Sequence, residues 1–411
     1  MAGEAVVVGG GVVGVSCARF LAEAGFRVVL LERGELGRGC SYANAGFIVP
    51  SHSQPLPAPG AVAEALRHLP RPDSPFAVRP RPDLLPFLLR MRRACTREAA
   101  ERGYDAMAAL GRASLDLFDA LAAEAGSPYR RSDLLQVYLT AAGLRRAEEE
   151  AEAIAARGFR VRVLSGGEAR ELEPALSPEV RGALLVEDQA VGDCFAFVRS
   201  LAEGLARRGV RVLPGRPVRR VLVRGGAVRG VVASGPEEEF AADLVVLAAG
   251  AWTPALARPL GIRLPLEPAK GYSCTVEPAP AGPRLPVLAE ELRVAITPLD
   301  GRLRVGGTLE LAGFEERLDA RRYGAVLRSA ARVLREPPDL RRGEAWYGFR
   351  PLTADGLPVI GPAPGVDGLI LATGHGTLGF TQAPATGKVV AELAGGERPS
   401  VPIEAFRPDR F

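Results

Sequence analysis

The chain opens with a strand, a glycine turn, a helix and a second strand ending on an acid, and few folds accept that series. Residues Ala5 to Val8 are apolar and run directly into Gly9-Gly10-Gly11-Val12-Val13-Gly14, a G-x-G-x-x-G. A helical stretch from Val15 to Ala24 follows, then Gly25, then Val28-Val29-Leu30-Leu31 and Glu32. In such a unit the first glycine permits a tight turn, the second admits a pyrophosphate close to the backbone, and the third lets helix pack on strand. Gly9, Gly11 and Gly14 take those three parts. Val12 and Val13 lie in the turn ahead of that helix, whose free N–H groups and positive dipole end favour phosphate. Glu32, 18 residues beyond Gly14, is placed to accept from ribose hydroxyls, with Arg33 beside it. The glycine motif alone is weak in a chain with 48 glycines, but the complete unit predicts an adenine-dinucleotide site.

Composition removes several alternatives. A net charge of +4 is too small to argue for nucleic acid. Of the 52 basic residues only Lys270 and Lys388 are lysine, so single arginines carry little weight until a motif places them. Five scattered cysteines form no C-x-x-C, and only His52, His68 and His375 could supply imidazole; a disulfide framework or metal centre is not expected. His68 reads as surface. No run of ~18 apolar residues is present, and the first strand starts too early to leave room for a signal peptide. A cytoplasmic protein is expected.

At 411 residues the chain has room for two or three domains. Strand, helix and glycine-turn units recur near 195–252 and at the C-terminus, with different material between. The pattern predicts an α/β fold in which a discontinuous Rossmann-like cofactor domain (1–50, 190–260 and 345–411) carries an α+β substrate domain (51–189 and 261–344) on a mixed or antiparallel sheet. Between the two parts, residues 50–59 read as a proline-rich linker, with helices over 90–102, 114–125 and 141–156 beyond it.

A nicotinamide enzyme would need only the first unit. Here a second apolar strand ends in Ala248-Ala249-Gly250-Ala251-Trp252 and a third in Thr373-Gly374-His375-Gly376-Thr377-Leu378-Gly379. Three strand-to-glycine turns can line a ligand as long as FAD. At the last of them a helix dipole would favour the negative charge of a reduced flavin. The segment Trp346-Tyr347-Gly348-Phe349-Arg350-Pro351 fixes an arginine between aromatics and a proline, where its fork could clamp a carboxylate.

Those segments, with the loop Ser41-Tyr42-Ala43-Asn44-Ala45-Gly46 and the stretch Lys270-Gly271-Tyr272-Ser273, resemble the D-amino acid oxidase superfamily of flavoproteins along essentially the whole chain. The likeness is greatest to the small-subunit bacterial D-amino acid dehydrogenases. The resemblance implies non-covalent FAD, its ADP half held by Gly9, Gly11, Gly14 and Glu32. It further implies Ser41, Asn44, Ala45 and Gly46 beside the isoalloxazine, Val218 near adenine, and Gly250 and Trp252 near the pyrophosphate. Gly374, Gly376, Thr377, Leu378 and Gly379 would line the flavin, and Arg350 would hold a substrate carboxylate. Tyr272, His375 and His52 are further candidates for the active site.

The chain departs from that pattern in three places. Relatives with covalent flavin carry a cysteine in the segment matching Trp346 to Thr353, which has none here. Sarcosine oxidases place a lysine where this chain has Arg304. Glycine oxidases supply a tyrosine from the strand matched to Arg293 to Pro298, which has none. The expected reaction is oxidative deamination of a D-amino acid, with electrons passed to a quinone or a protein acceptor. A glycine-, D-proline- or sarcosine-type oxidase, or the flavin subunit of a hetero-oligomeric dehydrogenase, is the alternative. The stretch 84–93 mixes leucines and arginines, which suggests peripheral membrane contact or a packed helix with a solvated basic face.

Overall fold

The structure, a computed structural model, describes residues 3–61, 73–234, 238–277 and 282–411. His68 lies outside the described residues.

The opening unit folds as its residues dictate. The strand Glu4–Val8 pairs in parallel with Arg27–Leu31 on one side and Leu244–Leu247 on the other. The order across this six-stranded sheet is Val359–Pro362, Leu369–Thr373, Leu244–Leu247, Glu4–Val8, Arg27–Leu31, Arg211–Leu213, and only the first pair is antiparallel. Because the three central strands run the same way, the turns at Gly9, Gly250 and Gly374 gather at one edge, outside the carboxyl ends where open α/β sheets bind ligands. Gly14 shows why helix and strand need a glycine there: a Cβ at Gly14 would lie 1.8 Å from the Gly9 carbonyl oxygen.

The helix Val12–Glu23 packs against the C-terminal helix Gly379–Ala394, and both are mostly buried. Their crossing closes at Gly387, where a Cβ would come within 2.5 Å of the Ser16 backbone. The 29-residue helix Arg97–Ala125 packs beside them, capped by Thr96 and ended by left-handed Gly126. Helices had been expected at 90–102 and 114–125; the chain instead forms Leu85–Ala94 and this one long helix.

The second sheet runs Glu344–Thr353, Leu266–Val276, Arg302–Leu311, Val294–Leu299, Val287–Ala289, Tyr129–Tyr138, Gly182–Gly192, Phe47–Ile48. It is mixed, with antiparallel pairs predominating. Two assignments shift. The strand Glu344–Thr353, grouped by sequence with the cofactor domain, is the edge of this sheet, because it pairs with Leu266–Val276 over ten residues. Phe47–Ile48 also crosses over, pairing with Val191 and Ala190. Residues 47–48 and 344–353, next to the 41–46 loop and around Arg350, therefore belong to the second sheet.

Candidate active site

A cleft of about 1250 Å³ is lined by residues of both sheets. It exceeds the ~300–1,000 Å³ usual for small ligands, as a long cofactor with a substrate requires. Gly9, Gly11, Val12, Val13, Glu32 and Arg33 line one end, Val218, Gly250 and Trp252 flank it, and Gly376, Thr377, Leu378 and Gly379 line the other part. Gly14 and Gly374 are not among the lining residues; Gly14 closes the helix onto the strand, and Gly374 is a left-handed turn against Thr353.

Local chemistry prepares the cleft for a polyanion. Glu32 accepts from the N–H of Gly10 (2.7 Å) and of Gly34 (2.9 Å), which locks the turn and leaves carboxylate lone pairs for a ribose. Ser41 serves the phosphate helix, since its Oγ accepts from Val12 N–H at 3.1 Å. The Arg33 guanidinium stacks 3.6 Å over Trp252, which stacks in turn on Phe314. The helix Gly379–Ala394 has no side-chain cap at its N-terminus, so its first N–H groups and dipole face the cleft. These features fit FAD.

Arg350 lies at the substrate end. Its Nη1 donates to the Thr308 carbonyl (2.8 Å), and its guanidinium lies over Gly271, where a Cβ would come within 2.1 Å of it. Thr308 takes φ +66°, unusual for a β-branched residue, where the register between Lys270 and Tyr272 slips. Such bulges re-aim groups beside active sites, and here the carbonyl is re-aimed at Arg350. Among the described residues Arg350 has no carboxylate partner. Burial pulls its pKa below the ordinary value, with nearby Cys40 opposing, yet guanidinium stays charged at any working pH. Ser273, on the same face as Gly271, has a buried Oγ without a hydrogen-bond partner.

Alternation along a strand decides the fate of Tyr272. With Gly271 and Ser273 facing the cleft, Tyr272 must turn to the opposite face. It is 1% exposed, within the core under the helix Ala320–Val333, and its hydroxyl donates to Glu310 at 2.6 Å. The structure does not bring that hydroxyl to substrate.

His375 lines the cleft but is buried, and burial lowers its pKa from 6.5 to about 3, so the ring is neutral. Thr386 donates its proton to the Gln382 carbonyl, so the 3.0 Å contact requires His375 Nε2 to be the donor. The ring braces the C-terminal helix.

His52 sits at the far border. Its Nδ1 is 3.1 Å from Gln136 Nε2, which also reaches Glu150 and Glu290. Tyr138 holds the outer oxygen of Glu150, and Arg293 that of Glu290. Burial and then the charge of Glu290 raise the pKa of Glu150. The ligand atoms of His52, Glu150 and Glu290 lie within 4.8 Å of one another, with the Gln136 amide donating into their midst. No sequence pattern signals this network, because residues 52, 136, 150 and 290 lie far apart in the chain, on a short helical turn, a strand, the helix Ala141–Ala156 and the end of another strand.

The flavin-side loop is held from behind. Asn44 Oδ1 accepts from Gly46 N–H, the Asn44 carbonyl accepts from Arg304, and the Ala45 carbonyl accepts from Thr297. Asn44, Ala45 and Gly46 all line the cleft.

A two-sheet α/β molecule with this dinucleotide turn and a cleft roofed by a helix N-terminus defines a flavin-dependent oxidoreductase. The chain belongs to the FAD dependent oxidoreductase (DAO) family, which it matches over residues 4–393. It is 39% identical over 407 residues to a D-amino acid dehydrogenase of Xanthobacter autotrophicus, covering 96% of each chain. It is 39% identical over 418 residues to one of Methylobacterium nodulans, covering 99% of this chain and 98% of that one. Among solved structures, glycine oxidase from Geobacillus kaustophilus superposes with a TM-score of 0.78 at 25% identity, over 100% of this chain and 99% of that one. L-proline dehydrogenase from P. horikoshii gives 0.79 at 21% identity, over 99% and 97%, and shows the shared fold.

Proposed function

We propose that the protein oxidises the Cα–N bond of D-amino acids to give 2-oxo acids and ammonia, and delivers the electrons to an acceptor other than oxygen. One observation carries the reading: Arg350 is a cleft-facing guanidinium without an acidic partner among the described residues, in a site built for FAD. The D configuration and the dehydrogenase activity rest on the names of the 39%-identical relatives.

Bound FAD supplies the hydride acceptor. Arg350 pins the substrate carboxylate through its free N–H donors and so fixes the direction of Cα–H. Thr308 and Gly271 hold the guanidinium in place. His375, neutral and bonded to Thr386, takes no proton at neutral pH, and no protein base is required when the amine enters uncharged. Water then hydrolyses the imino acid. Ser273 Oγ offers a hydrogen-bonding group on the cleft floor.

For the acceptor, the helix Leu85–Ala94 supports a quinone at a membrane surface. Leu85 and Leu89 are 57% and 47% exposed, Arg90, Arg92 and Arg93 are exposed beside them, and Leu88, Leu89, Met91 and Arg92 line the cleft. Apolar and cationic groups together suit an anionic lipid surface. Among the described residues no helix is long and apolar enough to cross a membrane.

The test is a panel of D- and L-amino acids with a redox dye, under air and under argon. Reduction by D-amino acids in both atmospheres is expected. Activity confined to L-isomers or to plain amines would remove the reading.

A further inference from the structure

We propose that Arg304 is a positioning residue for the flavin: with Thr297 and Asp193 it holds the 44–46 loop so that backbone N–H faces the cofactor. The inference rests on the FAD reading above.

Three consecutive loop carbonyls are gripped by three strands of the second sheet. Asn44 O accepts from Arg304 Nη1 (3.1 Å), Ala45 O from Thr297 Oγ1 (2.5 Å), and Gly46 O from Gly192 N–H (2.9 Å). Arg304 and Thr297 are direct neighbours in register, so two adjacent rungs hold two adjacent carbonyls. A trans peptide sets its N–H opposite its C=O. Anchoring the Asn44 carbonyl behind the loop therefore turns the Ala45 N–H toward the cleft that Ala45 lines. A donor fixed there stabilises negative charge gained by flavin on reduction.

The charge of Arg304 is spent elsewhere. The residue is 4% exposed; its Nε donates to Thr275 Oγ1, and its Nη2 is 3.5 Å from Asp193 Oδ2. Asp193 also caps the helix Cys194–Arg207 through its other oxygen and pairs with Arg302. Neither Arg304, Thr297 nor Asp193 lines the cleft. Arg304 thus acts through geometry, and its cation does not face the flavin.

The experiment compares holoenzymes carrying Arg304→Met, Arg304→Lys and Thr297→Val. Each is titrated anaerobically with dithionite and a reference dye, its visible spectrum is recorded, and flavin reduction by a D-amino acid is followed by stopped flow. All three are expected to keep FAD, to shift the flavin bands and to lower the reduction potential. Flavin reduction should slow about 10- to 100-fold, the scale of a misplacement below 1 Å to about 1 Å, with KM little changed. Arg304→Lys should stay impaired, because an ammonium keeps the charge but loses the fork. Wild-type behaviour of Arg304→Lys beside a defective Arg304→Met would assign the effect to charge and overturn the proposal, as would unchanged spectra and potentials in the methionine and valine variants. If Arg304→Met fails to fold, Thr297→Val, which loses only one hydroxyl, carries the test. Spectrum and potential are read without an amino acid, so they stand apart from the substrate assignment.

Discussion

Arg350 is held ready for an anion by its surroundings. A carbonyl takes one donor, a glycine leaves space beneath the plane, and the other N–H groups face the cleft. Truncating one partner of a buried hydrogen-bonded charge pair costs about 2–5 kcal/mol, so Arg350→Ala should lower kcat/KM by roughly 30- to 4,000-fold. Arg350→Lys should also be impaired, and both variants should retain FAD; near-normal kinetics would take Arg350 out of the site. His375 gives a prediction about stability. Its folded pKa of about 3 lies below the ordinary 6.5, so between those values the unfolded chain binds more protons. Its contribution is complete above about pH 6.5 and is lost as pH falls toward 3. His375→Gln, which keeps an N–H for Thr386, should show a smaller loss in urea midpoint between about pH 7.5 and about pH 5, the difference being about 2 kcal/mol. Equal losses in the two proteins would contradict a neutral buried ring.

At the scale of elements, glycines mark close approaches as often as breaks. The helix Arg97–Ala125 was read as two pieces, yet it continues through Gly103 and Gly111. A Cβ at Gly103 would lie 2.8 Å from Leu357 and Pro55, and one at Gly111 would lie 3.1 Å from Pro50. These glycines admit neighbours that one chain segment cannot foresee. The opening unit was legible because all of its parts are consecutive, and the same holds for the helix Ala141–Ala156. Tyr272 was not, because its direction depends on which face of Leu266–Val276 borders the cleft. The crossing at Gly387 is testable: Gly387→Ala should force apart Val12–Glu23 and Gly379–Ala394 and cost about 1–3 kcal/mol, seen as a lower urea midpoint at unchanged slope. An unaltered midpoint would show that the helices part without strain.

For the whole molecule, the open question is where electrons and cofactor go. Covalent attachment needs a reactive nucleophile at the flavin. Cys40 lines the cleft, but burial pushes its thiol up, against a partial opposing pull from Arg350, so it is a poor nucleophile. Acid or heat denaturation should release all yellow colour into the supernatant as FAD; colour retained by the precipitate would refute this. For the acceptor, substrate-reduced enzyme mixed with air-saturated buffer should reoxidise more slowly than with a quinone in anionic vesicles. Oxygen as fast as the quinone would make the protein an oxidase. The sequence supplied the cofactor unit and the Arg350 segment, since each is local. The order of both sheets, and the place of 47–48 and 344–353 in the second, arise from pairings between segments far apart in the chain.

In the role proposed for Arg350, the single hydrogen on Gly271 bears on which molecules serve as substrates. The guanidinium of Arg350 occupies the volume a methyl group would take, and it sits at the movable end of a long side chain. Gly271→Ala would leave the sheet and the cofactor cleft standing but push the fork aside. The preference for a carboxylate on the reacting carbon would fall, and simple amines would compete on nearly equal terms. The proposed discrimination between an amino acid and an amine thus depends on a volume that a glycine leaves and the guanidinium fills.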